Sequence, residues 1–133
     1  MEPLFLTLAE VLEIHDQQIQ LYGGSSGIRD NDGLESAVAT PQATFGSVYL
    51  HATIPSMAAA YLFHLCQNHA FIDGNKRVGA NAAVTFLWLN GWEPTFDADQ
   101  MIDLVLGVAS GQIDKSELTE FFEANSRPGE SAV

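Results

Sequence analysis

The chain has 133 residues, 47% of them hydrophobic, and its 17 acidic residues against five basic ones give a formal net charge of −12 at pH 7. That length suits one domain with its own core, and the negative charge argues against nucleic acid as a partner because it would repel a phosphate backbone. No apolar run approaches the roughly 18 residues of a membrane span, and no secretory signal pattern is visible. With a single cysteine, Cys66, these features lead us to expect a cytoplasmic protein that does not contact the membrane.

The first predicted helix follows Thr7 and ends at Gly23-Gly24. Thr7 stands three residues before Glu10, which is the spacing of a capping box at a helix start. Apolar residues at helical spacing predict a buried stripe, made of Leu8, Val11, Leu12, Ile14, Ile19 and Leu21.

Residues 23–33 are rich in Gly, Ser, Asp and Asn and predict a loop. Asp32 and Glu35 repeat the capping-box spacing and predict a short helix over residues 34–39. For Arg29-Asp30 we favour a structural role, in which the two bond each other or cap this helix. Residues 41–53 lack a helical period, so we expect either a loop or a small β-hairpin there.

Two apolar helices are predicted to form the core. Pro55 suits a first helical position, and residues 57–66 after it are almost wholly apolar. The second helix covers residues 75–90 and ends at Gly91.

Two amphipathic helices are predicted near the end of the chain, over residues 98–108 and 115–124. Capping boxes open them, Asp97 with Gln100 and Asp114 with Glu117. Residues 92–96 before them predict a brief extended piece. We expect one all-α domain of about six helices over residues 1–125, and a frayed tail over residues 126–133.

The segment between the two core helices carries the chemistry, and it reads His69-Ala70-Phe71-Ile72-Asp73-Gly74-Asn75-Lys76-Arg77. Gly74 tolerates backbone angles that a side chain forbids, and the helix after it begins with amides that lack a partner inside the helix. Lys76 and Arg77 add two cations to this first turn, where the helix dipole disfavours positive charge. An anion, and a phosphate above all, would resolve that conflict.

Two further side chains of this segment suit phosphate chemistry. Asp73 is a hard oxygen ligand that could hold Mg²⁺ bridging the same phosphates. Histidine ordinarily titrates near neutral pH, so His69 could take a proton from an attacking hydroxyl. Phe71 is expected to point inward and anchor the segment between them. Zinc is a weaker interpretation, because His64, Cys66 and His69 do not converge three ligands on one point from a buried helix.

The order of these residues resembles the Fic/Doc superfamily signature, His-x-Phe-x-Asp-Gly-Asn followed by Gly or Lys and then Arg. Lys76 at the variable place resembles the Doc toxin branch. The resemblance covers roughly residues 5–125 and includes Gly23-Gly24, Arg29-Asp30, Leu34-Glu35-Ser36-Ala37 and Pro41-Gln42-Ala43-Thr44-Phe45. It implies a compact helical bundle in which the residue 41–53 hairpin, if formed, is a flap.

The resemblance also implies an activity, transfer from ATP to a protein hydroxyl with Mg²⁺ as cofactor. His69 would be the base and Asp73 the metal ligand, while Gly74, Asn75, Lys76 and Arg77 would bind the phosphates. Adenylylating Fic proteins have glycine at the place of Lys76 and a second arginine at the place of Ala80. A Doc-type kinase that phosphorylates elongation factor Tu and arrests translation is therefore the first hypothesis. An adenylyltransferase and a non-catalytic antitoxin-binding module are the alternatives.

The resemblance implies a protein partner, a separate antitoxin that controls the activity. Self-inhibited Fic proteins carry a Ser/Thr-x-x-x-Glu-Gly/Asn motif, and the nearest match here, Thr119 to Glu123, is followed by Ala124. We therefore expect an antitoxin whose tail folds as a helix in an apolar groove of this protein.

Overall fold

The computed structural model describes residues 2–129, and within them the chain forms a bundle of six α-helices with two small antiparallel sheets. The helices are α1 Leu8–Tyr22, α2 Asn31–Ala39, α3 Ile54–Gln67, α4 Asn75–Leu89, α5 Ala98–Ala109 and α6 Lys115–Ala124. The strands are β1 Thr44–Phe45, β2 Val48–Tyr49, β3 Trp92–Pro94 and β4 Ser126–Pro128. The prediction of an all-α bundle with a small hairpin is confirmed. No helix within residues 2–129 is both long and apolar enough to cross a bilayer.

Helix α3 is the centre of the core, because most of its residues are buried and α4 packs along it. The two helices are in close contact at Gly79. A Cβ atom there would lie 2.9 Å from the sulfur of Cys66 and 3.1 Å from the carbonyl oxygen of Leu62. The missing side chain of Gly79 therefore sets the spacing between α3 and α4.

We expect Gly79→Ala to lower the free energy of unfolding by about 1–3 kcal/mol, because overpacking forces backbone and side chains apart. Alanine is the better helix former by up to about 1 kcal/mol, so a loss of stability can only come from packing. Urea denaturation measures the change. Thr85→Ala on the exposed face of α4 is the control and should stay within about 0.5 kcal/mol of the wild type. A stabilised Gly79→Ala variant would contradict this account of the helix contact.

Three of the four predicted capping boxes are present, at Thr7, Asp97 and Asp114. The fourth, at Asp32, is wrong, because the N-cap of α2 is Asp30, two residues earlier, and the helix begins at Asn31. The Asp30 carboxylate accepts a hydrogen bond from the Gly33 amide at 2.9 Å. The amide of Asp30 is itself held by the carbonyl of Ala70 at 3.0 Å, so a contact with a distant segment fixes where α2 starts.

The predicted apolar stripe of α1 is only partly right. Val11 is buried, but the other two buried residues of this helix are His15 and Gln18. Leu21, which was expected inside, is 71% exposed. His15 is buried because its ring meets the loop before α4, at the carbonyl of Asp73 and the ring of Phe71.

Two segments form β-structure. For one of them the sequence allowed either a loop or a hairpin, and for the other it predicted a frayed tail. Residues 44–49 form the hairpin alternative, with Thr44 opposite Tyr49 and Phe45 opposite Val48. The predicted frayed tail is wrong for residues 126–128, which pair with β3 as an antiparallel strand, and the Arg127 guanidinium also meets the Glu93 carboxylate across this pair of strands. The part of that prediction covering residues 130–133 lies outside the described residues.

Candidate active site

The loop between α3 and α4 has an unusual backbone at both ends. His69 has a φ of 47° and Gly74 a φ of 82°. Gly74 adopts this left-handed conformation freely, as the sequence predicted, whereas for histidine it is uncommon. Strained residues persist only when their surroundings hold them, so the neighbours of His69 matter.

The loop before α2 supplies part of that support through backbone pairing. Ile28 and Phe71 form an isolated antiparallel bridge. The amide of Ile72 donates to the carbonyl of Gly27 at 3.1 Å. The segment of residues 69–77 is therefore tied to a second loop, about 40 residues earlier in the chain.

Arg29 holds the backbone of His69 directly. Its Nε donates to the His69 carbonyl at 3.0 Å, and its amide donates to the Ala70 carbonyl at 2.8 Å. Of the two structural alternatives for Arg29-Asp30, capping is the one observed, since the carboxylate of Asp30 caps α2. Arg29 therefore has a structural role, as predicted for the pair, and it supports the backbone of His69 from outside the cavity.

Asn75 clamps the loop from the α4 side. Its Oδ1 accepts from the amide of Phe71 at 3.0 Å, and its Nδ2 donates to the carbonyl of Phe71 at 2.9 Å. The side chain of Asn75 is therefore committed to the loop. Only the main-chain amide of Asn75 is left to bind an anion. Phosphate binding by Asn75 therefore stays a prediction, and it applies to that amide and not to the side chain.

The α1 side is formed by His15, which was not among the residues predicted for the site. Its Nε2 lies 2.8 Å from the Asp73 carbonyl oxygen, and its ring stacks on Phe71 with centroids 3.9 Å apart and planes at 6°. Phe71 is 2% exposed, which confirms its expected inward direction. The spacing of Val11, His15 and Gln18, at i, i+4 and i+7, was the available signal for a polar inner face.

The Asp73 carboxylate lies at the start of α4 and is partly exposed. Its Oδ1 accepts from the Gly74 amide at 2.8 Å and its Oδ2 from the Ser25 amide at 3.3 Å. The Arg77 guanidinium is 3.9 Å away, a surface ion pair that contributes little by itself. A Cβ on Gly24 would come within 2.5 Å of Oδ2, so this glycine leaves room for the carboxylate.

Arg77 connects the first turn of α4 to the end of α1. Its two terminal nitrogens donate to the carbonyls of Gln18 at 3.0 Å and Gly23 at 3.1 Å. Within residues 2–129, Lys76 has no ion-pair partner and is exposed. Of the two cations, Lys76 is therefore the freer to meet a ligand.

All the predicted site residues line one cavity of about 200 Å³. They are His69, Asp73, Gly74, Asn75, Lys76 and Arg77, joined by Cys66, Ile72 and Ala109. No side chain caps the start of α4 and its first turn holds no acidic residue. The leading amides, the helix dipole and two cations therefore make this end of the cavity electropositive in an otherwise acidic protein.

A second group of basic residues lies between α3 and α6. Lys115 Nζ is 2.9 Å from His64 Nε2, and His51 and Lys115 line a separate cavity of about 660 Å³ with Thr119 and Glu123. Burial, with added repulsion from Lys115 and His51, lowers the pKa of His64 to about 4. Burial also raises the pKa of the Cys66 thiol to about 12, which keeps it protonated and a poor metal ligand.

The lowered pKa of His64 predicts a loss of stability in acid. The unfolded chain would protonate this imidazole near pH 6.5 and the folded chain near pH 4, so its contribution is complete above 6.5 and is lost as the pH falls towards 4. Urea denaturation of wild type and His64→Gln across this window checks it. We expect the free energy of unfolding to fall more steeply in the wild type, and parallel curves would contradict the assignment to His64.

The motif lies within a region shared with known proteins. The sequence pattern of the Fic/DOC family matches residues 5–87. The chain is 43% identical over 95 residues to the Toxin Doc of Mycolicibacterium smegmatis, covering 70% of this chain and 73% of that protein. It is 34% identical over 112 residues to the Protein kinase doc of Escherichia phage P1, covering 84% of this chain and 86% of that protein. The chain therefore belongs to the Fic/DOC family and, within it, to the Doc proteins.

Proposed function

We propose that this protein is the toxin of a toxin–antitoxin pair and transfers the γ-phosphoryl group of ATP to a hydroxyl of a protein target in the cytoplasm. The observation that carries the proposal is the single cavity lined by His69, Asp73 and the uncapped start of α4. The names of the two relatives, Toxin Doc and Protein kinase doc, support both halves of it.

The phosphates would bind at the start of α4. Phosphoryl transfer depends mainly on positioning and on stabilising charge spread over the phosphate oxygens. Main-chain amides at a helix start and two cations are suited to that task. Gly74 would let the backbone approach the phosphates, and Lys76 would supply a mobile positive charge.

Mg²⁺ fits the donor set of the cavity. The Asp73 carboxylate is a hard oxygen ligand beside the electropositive helix start, and Mg²⁺ in nucleotide sites commonly takes one or two carboxylates with phosphate oxygens and water. Within residues 2–129 no three His, Cys, Asp or Glu side chains form a ready-made metal cluster. Bound there with ATP, Mg²⁺ would neutralise charge on the phosphates.

His69 would act as the general base. In the transfer, the target hydroxyl oxygen forms a bond to the γ-phosphorus, the bond from that phosphorus to the bridging oxygen breaks, and ADP leaves. The imidazole of His69 takes the hydroxyl proton. Arg29, which holds the backbone of His69 in its left-handed conformation, would keep the imidazole at the cavity.

We propose elongation factor Tu as the target, which the resemblance to Doc toxins implies. The test is to incubate the full chain with ATP, Mg²⁺ and purified elongation factor Tu, and in parallel with a bacterial lysate. Intact-mass measurement should show the gain of one phosphate, and ATP labelled at the γ-phosphate should transfer its label. A gain of one AMP would refute the kinase proposal in favour of adenylylation, and modification of another lysate protein alone would refute the target.

The proposed antitoxin helix has a candidate groove beside the cavity. An apolar groove of about 220 Å³ runs between α4 and α5 and is lined by Lys76, Arg77, Ala80, Met101, Ile102, Val105 and Leu106. Ile102 is 56% exposed and Leu106 53% exposed. An amphipathic helix could bury both. Since Lys76 and Arg77 line the groove and the cavity alike, a helix bound there would also close the phosphate site.

A further inference from the structure

His15 is the buried polar side chain that faces the catalytic loop from α1. It is 5% exposed, and it lies 58 residues from Asp73 in the sequence. A buried imidazole needs a partner for its N–H group. The partner of His15 is the carbonyl oxygen of Asp73.

The bond of His15 to Asp73 fixes the peptide plane that opens α4. The carbonyl oxygen of Asp73 can only accept, so Nε2 carries the proton and donates to it at 2.8 Å. The other end of that peptide is the Gly74 amide, which donates to the Asp73 carboxylate at 2.8 Å. Because the peptide is planar, holding its carbonyl also holds the amide that orients the carboxylate.

The ring of His15 adds a second restraint on the same loop. It stacks face to face on Phe71 at 3.9 Å, and the backbone of Phe71 is bonded on both sides by Asn75. Parallel stacking of this kind fixes the orientation of both rings. One imidazole therefore restrains Phe71 and Asp73, the inward anchor and the carboxylate of the loop.

We propose that His15 is a positioning residue for Asp73, acting through the Asp73–Gly74 peptide to set how well the site holds Mg²⁺ with ATP. The metal part rests on the proposed function. Residues that orient a metal ligand without touching the metal typically change affinity 10-fold to 100-fold when replaced. The same logic applies to a histidine that aims a carboxylate by holding its backbone.

Two variants separate the two contacts. His15→Phe keeps an aromatic ring for Phe71 but has no donor for Asp73, and His15→Gln keeps an N–H donor at about the reach of Nε2 but loses the stack. We expect His15→Phe to raise the Mg²⁺ concentration for half-maximal phosphoryl transfer about 10-fold, with a smaller change in the rate at saturating Mg²⁺. His15→Gln should recover most of the loss.

A destabilised control and a second readout complete the test. Phe122→Leu loosens the core at α6, away from the cavity, and should leave the Mg²⁺ requirement unchanged. Hydrogen exchange of the Gly74 amide, measured by NMR on unliganded protein, should be faster in His15→Phe and close to the wild type in His15→Gln. Unchanged Gly74 exchange, or an unchanged Mg²⁺ requirement in an active His15→Phe variant, would overturn the positioning role. A wild-type protein that transfers no phosphoryl group would instead refute the proposed function, and the exchange experiment would still decide whether His15 holds the peptide.

Discussion

His69→Ala should lower the rate of phosphoryl transfer by about 10²- to 10⁴-fold, which is the range that a positioned general base contributes. The loss should appear in the maximal rate, because His69 is assigned to proton transfer and not to holding ATP. Single-turnover transfer from γ-labelled ATP measures it. In cells, the same variant should no longer arrest growth when expressed without an antitoxin.

The left-handed backbone at residue 69 calls for a second variant. His69 has a φ of 47°, and alanine is strained in this region whereas asparagine tolerates it better. His69→Asn therefore removes the base with less disturbance of the loop, and it should be as inactive as His69→Ala. If both variants arrest growth as well as the wild type does, His69 is not a catalytic base, and a non-catalytic binding module becomes the better description.

Asp73→Asn should reduce transfer by about 10²- to 10³-fold at limiting Mg²⁺, since a lost metal ligand costs several kcal/mol of charge stabilisation. The substitution keeps an oxygen that can accept from the Gly74 amide, so the loop should remain in place. The measurement is the transfer rate as a function of Mg²⁺ concentration, and higher Mg²⁺ should recover part of the loss.

The matched control for that variant is Asp103→Asn, which removes one carboxylate from the exposed face of α5. It changes the net charge by the same amount and should behave like the wild type. Equal Mg²⁺ curves for Asp73→Asn and Asp103→Asn would show that Asp73 does not hold the metal. The negative charge of phosphates bound at the start of α4 would then have to be neutralised by other groups.

The parts of the fold that depend on residues close together in the sequence could be predicted. Thr7, Asp97 and Asp114 cap their helices as their spacing indicated, because a capping box closes within four residues. The start of α2 was misplaced, because Asp30 is held by Ala70, 40 residues away. The pairing of β4 with β3 was missed for the same reason, since nothing near residue 126 in the chain indicates a partner strand.

In the candidate site, too, the local features could be predicted and the long-range contacts could not. From the sequence alone, His69 and residues 73–77 could be assigned to one pocket, because a loop that runs directly into a helix brings its side chains to the helix start by local geometry. His15 and Arg29 reach that loop from 58 and 40 residues away, and the carbonyl of Gln18 contacts Arg77 in α4 from 59 residues away. Such contacts depend on how α1 and the loop before α2 pack against the bundle. The residues assigned to the candidate chemistry therefore lie within nine consecutive positions of the sequence, and only the tertiary structure decides which distant groups hold them in place.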